Sequence, residues 1–205
     1  SPPRDAGASI QGEPIGPMTT GEAIIDIMNA VGYDIAIPGN HEFDYGMDRF
    51  LELTKKANFP YISCNSNKGG ELIFQPYIIK EFDGVKIAFV GVDTPKTITS
   101  STPVFFQDED GNFVYDFCQD EDGSLLYSTV QANVDAARAE GAKYVILMAH
   151  LGIEGECIPY TSSEVVVNTS GIDAVLDGHS HSVVECERIK NKEGKWVLVD
   201  RKSVV

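Results

Sequence analysis

Positive charge is scarce in this chain. Sixteen Lys and Arg residues stand against 31 Asp and Glu among 205 residues, a formal charge of -15. Nonspecific nucleic-acid binding needs a basic surface, so no nucleic-acid partner is expected. A phosphate ester would also meet an unfavourable field unless bound cations reverse it locally. Long apolar runs are missing as well: none approaches the ~20 residues that span a bilayer, so no membrane-spanning segment is expected. The start of the chain shows no signal-peptide pattern and reads as truncated. The four cysteines, Cys64, Cys118, Cys157 and Cys186, are never close in sequence. Zinc-ribbon and redox CxxC readings are thereby removed, while three disulfide connectivities stay open. Cys64 follows an apolar run and reads as a small buried hydrophobe. There is no internal repeat and no low-complexity tract. The acidic clusters 108–110 and 120–122 each precede glycine and read as turns. They lack the alternating ligand spacing and terminal Glu of a calcium loop.

What remains, 42% hydrophobic and 23% charged residues, suits one globular core. Thr19 and Glu22 have capping-box spacing, and Ile24, Ile27, Met28 and Val31 supply an apolar helical face that ends at Gly32. A short buried strand is expected over 34–38. A helix follows from about Met47 to Ala57, with Met47, Phe50, Leu51 and Thr54 on one face. The next strand is 60–64, then a polar turn over 65–70. Asp83-Gly84 joins 72–81 to 85–92 as a hairpin. Residues 95–124 read as a long polar insertion with a small hairpin near 112–117. Leu126, Val130, Val134 and Ala137 mark a helix closed by Gly141. A buried strand over 143–149, a short helix over 162–168 and strands at 173–176 and 195–200 complete the chain. Alternating strands and helices beside a local hairpin give an α/β class with mixed sheet pairing.

Histidine is rare, and its placement is the informative feature. His41 follows Ile-Ala-Ile-Pro-Gly-Asn, His150 follows Tyr-Val-Ile-Leu-Met-Ala, and His179 and His181 follow Ala-Val-Leu-Asp-Gly. Strand ends in open α/β sheets collect ligands and catalytic groups. His179 and His181, two apart in an extended segment, can share a face. Imidazoles gathered this way favour Zn, Mn, Fe, Co or Ni. Asn40 adds a hard amide oxygen on a tight turn. His41 and Asp44 are three apart, so on a helical turn the carboxylate can fix the ring's tautomer.

Three blocks carry a resemblance. Gly39-Asn40-His41-Glu42, Ala149-His150-Leu151-Gly152 and Gly178-His179-Ser180-His181 look like signature blocks of the calcineurin-like metallophosphoesterases. The fuller strings 39–46 and 177–182 resemble the 5′-nucleotidase branch, which includes UDP-sugar hydrolases and cyclic-nucleotide phosphodiesterases. The resemblance implies a β-sandwich of mixed sheets flanked by helices in four layers, α/β/β/α, formed by 1–205 as a single catalytic domain. It implies two divalent metal ions, with Asn40, His150 and His179 as ligands of one and His181 as a ligand of the other. It implies a catalytic dyad of His41 and Asp44, with Asn40 and His41 binding substrate. The implied activity is metal-dependent phosphohydrolysis of small-molecule nucleotide phosphate esters, releasing inorganic phosphate. Relatives of this kind are commonly exported, periplasmic or at the cell surface.

The chain also departs from the pattern. No Asp-x-His strand occurs in it, and the family's C-terminal nucleotide-binding domain is absent from it. Residues 5–12, Asp5-Ala6-Gly7-Ala8-Ser9-Ile10-Gln11-Gly12, resemble the block supplying the metal-bridging carboxylate, but Ala8 holds the bridging position. The chain as given is therefore expected to be weakly active or inactive. A cyclic-nucleotide phosphodiesterase, a UDP-sugar hydrolase and a non-catalytic binding module on the same fold are the alternatives. A structural zinc protein is disfavoured, because no cysteine shares a motif with the histidines.

Overall fold

The computed structural model describes residues 4–10, 14–153, 155–180 and 184–201. Strand β1 (Arg4–Asp5) leads into helices α1 (Ile15–Thr19) and α2 (Glu22–Val31), strand β2 (Ile35–Ala36), a 3-10 turn over Asn40–Phe43 and helix α3 (Met47–Lys56). The short strands β3 (Asn67–Lys68) and β4 (Glu71–Leu72) precede the hairpin of β5 (Tyr77–Phe82) and β6 (Val85–Asp93). Helix α4 (Thr97–Ser100), a 3-10 turn at Pro103–Phe106 and strand β7 (Tyr115–Asp116) follow. The remainder is α5 (Ser124–Ala139), β8 (Tyr144–His150), α6 (Ser162–Asn168), β9 (Ala174–Asp177), β10 (Val184–Lys190) and β11 (Trp196–Arg201), with a 3-10 turn at Gly155–Cys157 after β8.

The main sheet has the order β10-β11-β9-β8-β6-β5. Its four central strands run parallel, and β5 and β10 are antiparallel edges. One face takes α5 and α6: Leu126, Val130, Val134 and Ala137 pack on Val145, Leu147, Val175, Val197 and Val199. The other face, with Phe89 and Met148, packs on Ile35, Ile37 and Ile62. The pleat of β2 explains the next layer. Ile35 and Ile37 point to the main sheet, while Ala36 points the other way into the cluster formed by α2 and α3. The result is helix, sheet, smaller sheet, helix, the mixed four-layer arrangement that the sequence resemblance implies. Among the described residues, no helix is long and apolar enough to cross a membrane.

Several local expectations are corrected. Thr19 ends α1, its Oγ1 donating to the Ile15 carbonyl at 2.8 Å, and the same oxygen accepts from the Ala23 amide in the first turn of α2 at 3.2 Å, so it serves that helix start from one residue further out than a capping box requires. Gly21 is the N-cap of α2, with no side-chain cap. The buried face of α2 is Ile25 and Met28; Ile27 and Val31 are exposed. Gly21 selects this face, because a Cβ there would sit 2.9 Å from Leu53 Cδ1, so glycine lets α2 approach α3. On α3 the buried residues are Met47, Phe50 and Leu53, with Leu51 and Thr54 only partly covered. The 65–70 stretch is no simple turn: β3 pairs with both β4 and β7, and Asn65 is buried. Asn65 donates to the Asp93 and Phe117 carbonyls at 2.7 and 2.9 Å, which ties the 95–124 insertion to the end of β6. Strands β1 and β10 carry no clear alternation and are not legible in the sequence.

Gly91 tests the layering. A Cβ there would lie 2.3 Å from the Ile62 carbonyl oxygen, since 61–62 crosses directly over β6. Gly91→Ala should destabilise the fold by roughly 1–3 kcal/mol through overpacking. Gly155→Ala, where nothing lies within 4 Å, should be near neutral. Chemical denaturation of both variants checks this, and equal midpoints would contradict the close approach.

Candidate metal centre

Parallel register builds the site. Asp93 pairs with His150, and Ala149 with Asp177, so β6, β8 and β9 end at one level. His150, the last residue of β8, is 1% exposed. Its Nδ1–H donates to the Ala6 carbonyl at 2.7 Å. That bond fixes the tautomer and leaves Nε2 with its lone pair. Nε2 lies 3.0 Å from Asn40 Oδ1 and 3.2 Å from His179 Nδ1. Glycines make room for the ring. A Cβ on Gly7 would stand 2.8 Å from His150 Nδ1, and one on Gly39 would stand 2.8 Å from Nε2. Asn40 opens the 3-10 turn, and Phe43 closes it by packing edge-on against Phe50, Phe106 and Phe117 at 5.3 to 5.5 Å. This aromatic anchor holds the turn against the α3 cluster.

His179 adopts φ 74, the left-handed region. A non-glycine residue there costs about 1–2 kcal/mol, a strain typical of functional positions. Gly152 accommodates it, since a Cβ there would meet His179 Cδ2 at 2.8 Å. On the same turn as Asn40, His41 Nδ1–H donates to Asp44 Oδ2 at 2.8 Å, with the His41 side chain 45% exposed. The dyad geometry that the i,i+3 spacing predicts is therefore present. His181 lies outside the described residues.

Asn40 Oδ1, His150 Nε2 and His179 Nδ1 are three electron-pair donors facing one another. Donors bound at about 2.1 Å around one cation stand about 3.0–3.4 Å apart, which matches the observed separations. An amide oxygen and two ring nitrogens at this spacing have the donor chemistry of a divalent-cation site. No carboxylate joins it: among the described residues, no group of three His, Cys, Asp or Glu forms a ligand set. Ala8, where the resemblance puts a bridging carboxylate, has φ 63.

Three buried carboxylates surround this end of the sheet, and sequence reasoning gave none of them a role. Glu42 accepts from the Ala8 and Gly39 amides at 2.6 Å and from the Ser9 amide at 2.5 Å. Burial pushes its carboxyl above the usual range, against the downward pull of those amides. Asp93 accepts from the Thr94 amide and the Thr97 hydroxyl at 2.7 and 2.8 Å. Burial raises it well above the usual range too, and the Glu42 charge adds to the effect. Asp177 Oδ1 accepts from the Leu151 and Gly152 amides at 2.9 and 3.3 Å, fixing the loop after His150. Burial pushes Asp177 up to about 6. For Glu42 and Asp177 the available signal was an acidic residue inside or beside a histidine block, and for Asp93 only its place at the end of an apolar run; a carboxylate at a buried strand end must capture backbone amides.

The sign of the pH dependence follows. Between an ordinary 3.8 and about 6, folded Asp177 holds a proton that the unfolded chain has released. Its contribution therefore falls as pH rises through that window, and the cost is complete above it. The melting temperature of the metal-free chain should rise as pH drops from about 8 to about 5.5, with this group adding on the order of 1 kcal/mol of stability over that range. Asp177→Asn should flatten the rise. Calorimetry across that range checks it, and a melting temperature that fell on acidification would contradict it.

Comparison with known proteins places this geometry. The family described as bacterial capsule synthesis protein PGA_cap matches residues 6–198. The trifunctional nucleotide phosphoesterase protein YfkN of Bacillus subtilis is 31% identical over 207 residues, covering 87% of this chain and 13% of that protein. A 2′,3′-cyclic-nucleotide 2′-phosphodiesterase/3′-nucleotidase of Haemophilus influenzae is 30% identical over 202 residues, covering 86% and 28%. The crystal structure of a 5′-nucleotidase precursor from Thermus thermophilus superposes with a TM-score of 0.78 at 26% identity, covering 97% of this chain and 38% of that one. The chain thus spans well under half the length of each. It belongs to the PGA_cap family and, with these relatives, to the 5′-nucleotidase and cyclic-nucleotide phosphodiesterase branch of the calcineurin-like metallophosphoesterases.

Proposed function

We propose that this chain, as a single domain, is the metal-binding catalytic portion of a phosphohydrolase acting on nucleotide phosphate esters. The placing of His150 Nε2 within 3.2 Å of both Asn40 Oδ1 and His179 Nδ1 carries the reading. Asn40, His150 and His179 would hold one divalent ion, and His181 would belong to a second by resemblance. Bound there, such ions supply Lewis acidity that neutralises phosphoryl charge and activates water. This matches the need of a chain with charge -15 to meet an anionic substrate.

The chain's own residues do the rest. Asp44 holds His41 Nδ1–H, so the exposed ring keeps Nε2 for the substrate. Protonated at Nε2, His41 donates to a phosphoryl oxygen or to the departing alkoxide, and the Asp44 charge stabilises the imidazolium. Asn40 orients on the same turn, which keeps ligand and proton donor one residue apart. Export is part of this reading and rests on the resemblance alone.

Ala8 limits the activity. It offers no ligand atom, yet its backbone holds the left-handed conformation that Asp and Asn tolerate better than Ala. Ala8→Asp should tighten Mn binding and raise Mn-dependent hydrolysis of a nucleotide monophosphate at least tenfold. In that background His41→Asn should lower kcat by about 10²–10⁴, with little change in metal affinity. Ala8 favours one second reading, a binding module that keeps the fold without turnover. Phosphate release with added Mn separates the two: no turnover in Ala8→Asp, with Mn bound, would leave the binding module.

A further inference from the structure

Glu42 lies between His41 and Phe43, yet its side chain is fully buried. Its two oxygens divide the work. Oε2 accepts from the Ala8 and Gly39 amides, both at 2.6 Å. Oε1 accepts from the Ser9 amide at 2.5 Å, and from the Ile10 amide and the Ser9 hydroxyl at 3.3 Å. The β1–β2 ladder that joins these two segments pairs Arg4 with Ile35 and Asp5 with Ala36 and goes no further. Glu42 therefore takes over where backbone pairing stops. The tie reaches the donor trio by contact. Gly39 precedes Asn40, and the space beside its Cα is filled by His150 Cε1 and Nε2 and by the Ala8 amide. A shift of a few tenths of an ångström at Gly39 must move either the ring or residue 8.

We propose that Glu42 is a positioning residue whose carboxylate staples residues 8–10 to Gly39 and so sets residue 8, Asn40 and the His150 ring relative to one another, and with them the cation affinity of the site. The part concerning affinity rests on the metal reading above. Glutamine is nearly isosteric but turns one acceptor oxygen into a donor. Whichever way its amide faces, two amides from this set lose their partner. Aspartate keeps the charge and withdraws it by one methylene.

The test compares the full wild-type chain with Glu42→Gln, Glu42→Asp and, as a control, Ser9→Ala, which removes only the 3.3 Å hydroxyl contact. Three quantities are measured: amide hydrogen exchange residue by residue, the ¹⁵N shifts of the His150 ring, and Mn²⁺ affinity by electron paramagnetic resonance. In Glu42→Gln, exchange should accelerate at least tenfold at residues 8–10 and 39 while α5 and β8 stay protected. The His150 ring shifts should move, and Mn²⁺ should bind at least tenfold more weakly. Ser9→Ala should match wild type. Should Glu42→Gln fail to fold, Glu42→Asp carries the same comparison. Unchanged exchange at residues 8–10 and 39 overturns the staple. Equal acceleration throughout the chain overturns it too, since that marks a global structural role. Local protection lost with the His150 shifts and Mn²⁺ affinity unmoved overturns the positioning claim. A wild-type chain that takes up no Mn²⁺ but shows the local exchange and ring-shift pattern removes the metal reading and supports the staple.

Discussion

Parallel pairing among β6, β8 and β9 brings three strands to their ends side by side, with Asp93 opposite His150 and Ala149 opposite Asp177. Each strand then releases a loop whose first amides have no ladder partner. Such groups cannot be left unpaired inside a protein without a cost of about 1–3 kcal/mol each. Carboxylates answer two of these ends. Asp93 takes the Thr94 amide, and Asp177 takes those of Leu151 and Gly152. The histidines keep their places because the loops around them are pinned. The site is thus a product of how strand termini are finished, and the donor trio is its visible result.

The broad architecture was legible because its signals are local. The four apolar residues of α5 fall on one helical face, and Asp83-Gly84 sits at positive φ in a tight hairpin turn. The donor trio was legible through sequence blocks. Two kinds of feature were not. The face of α2 was misread because its residues support two stripes, and only the approach of α3 at Gly21 chooses between them. The tiny strands β1, β3 and β4 are two residues each, too short for any periodicity, and pair only with strands equally short. The buried carboxylates were missed for a related reason. A Glu or Asp reads as exposed until the fold shows which amides surround it.

Charge is the second theme. The surface is acidic, and the buried acids deepen that bias at the site end. Burial pushes the carboxyls of Glu42 and Asp93 above their usual range, and the Glu42 charge adds to the effect on Asp93. The trio of one amide and two imidazoles sits in that setting.

The left-handed backbone at Ala8 has a genetic corollary. Codons for alanine and aspartate that end in a pyrimidine differ at their middle base alone. Because the amides at 8 and 9 are gripped by Glu42 and not by the side chain at position 8, the backbone there holds its shape independently of which of the two side chains it carries. Exchange between alanine and aspartate here is then a single-base step onto a backbone already shaped to receive either, for as long as the grip on those amides is kept.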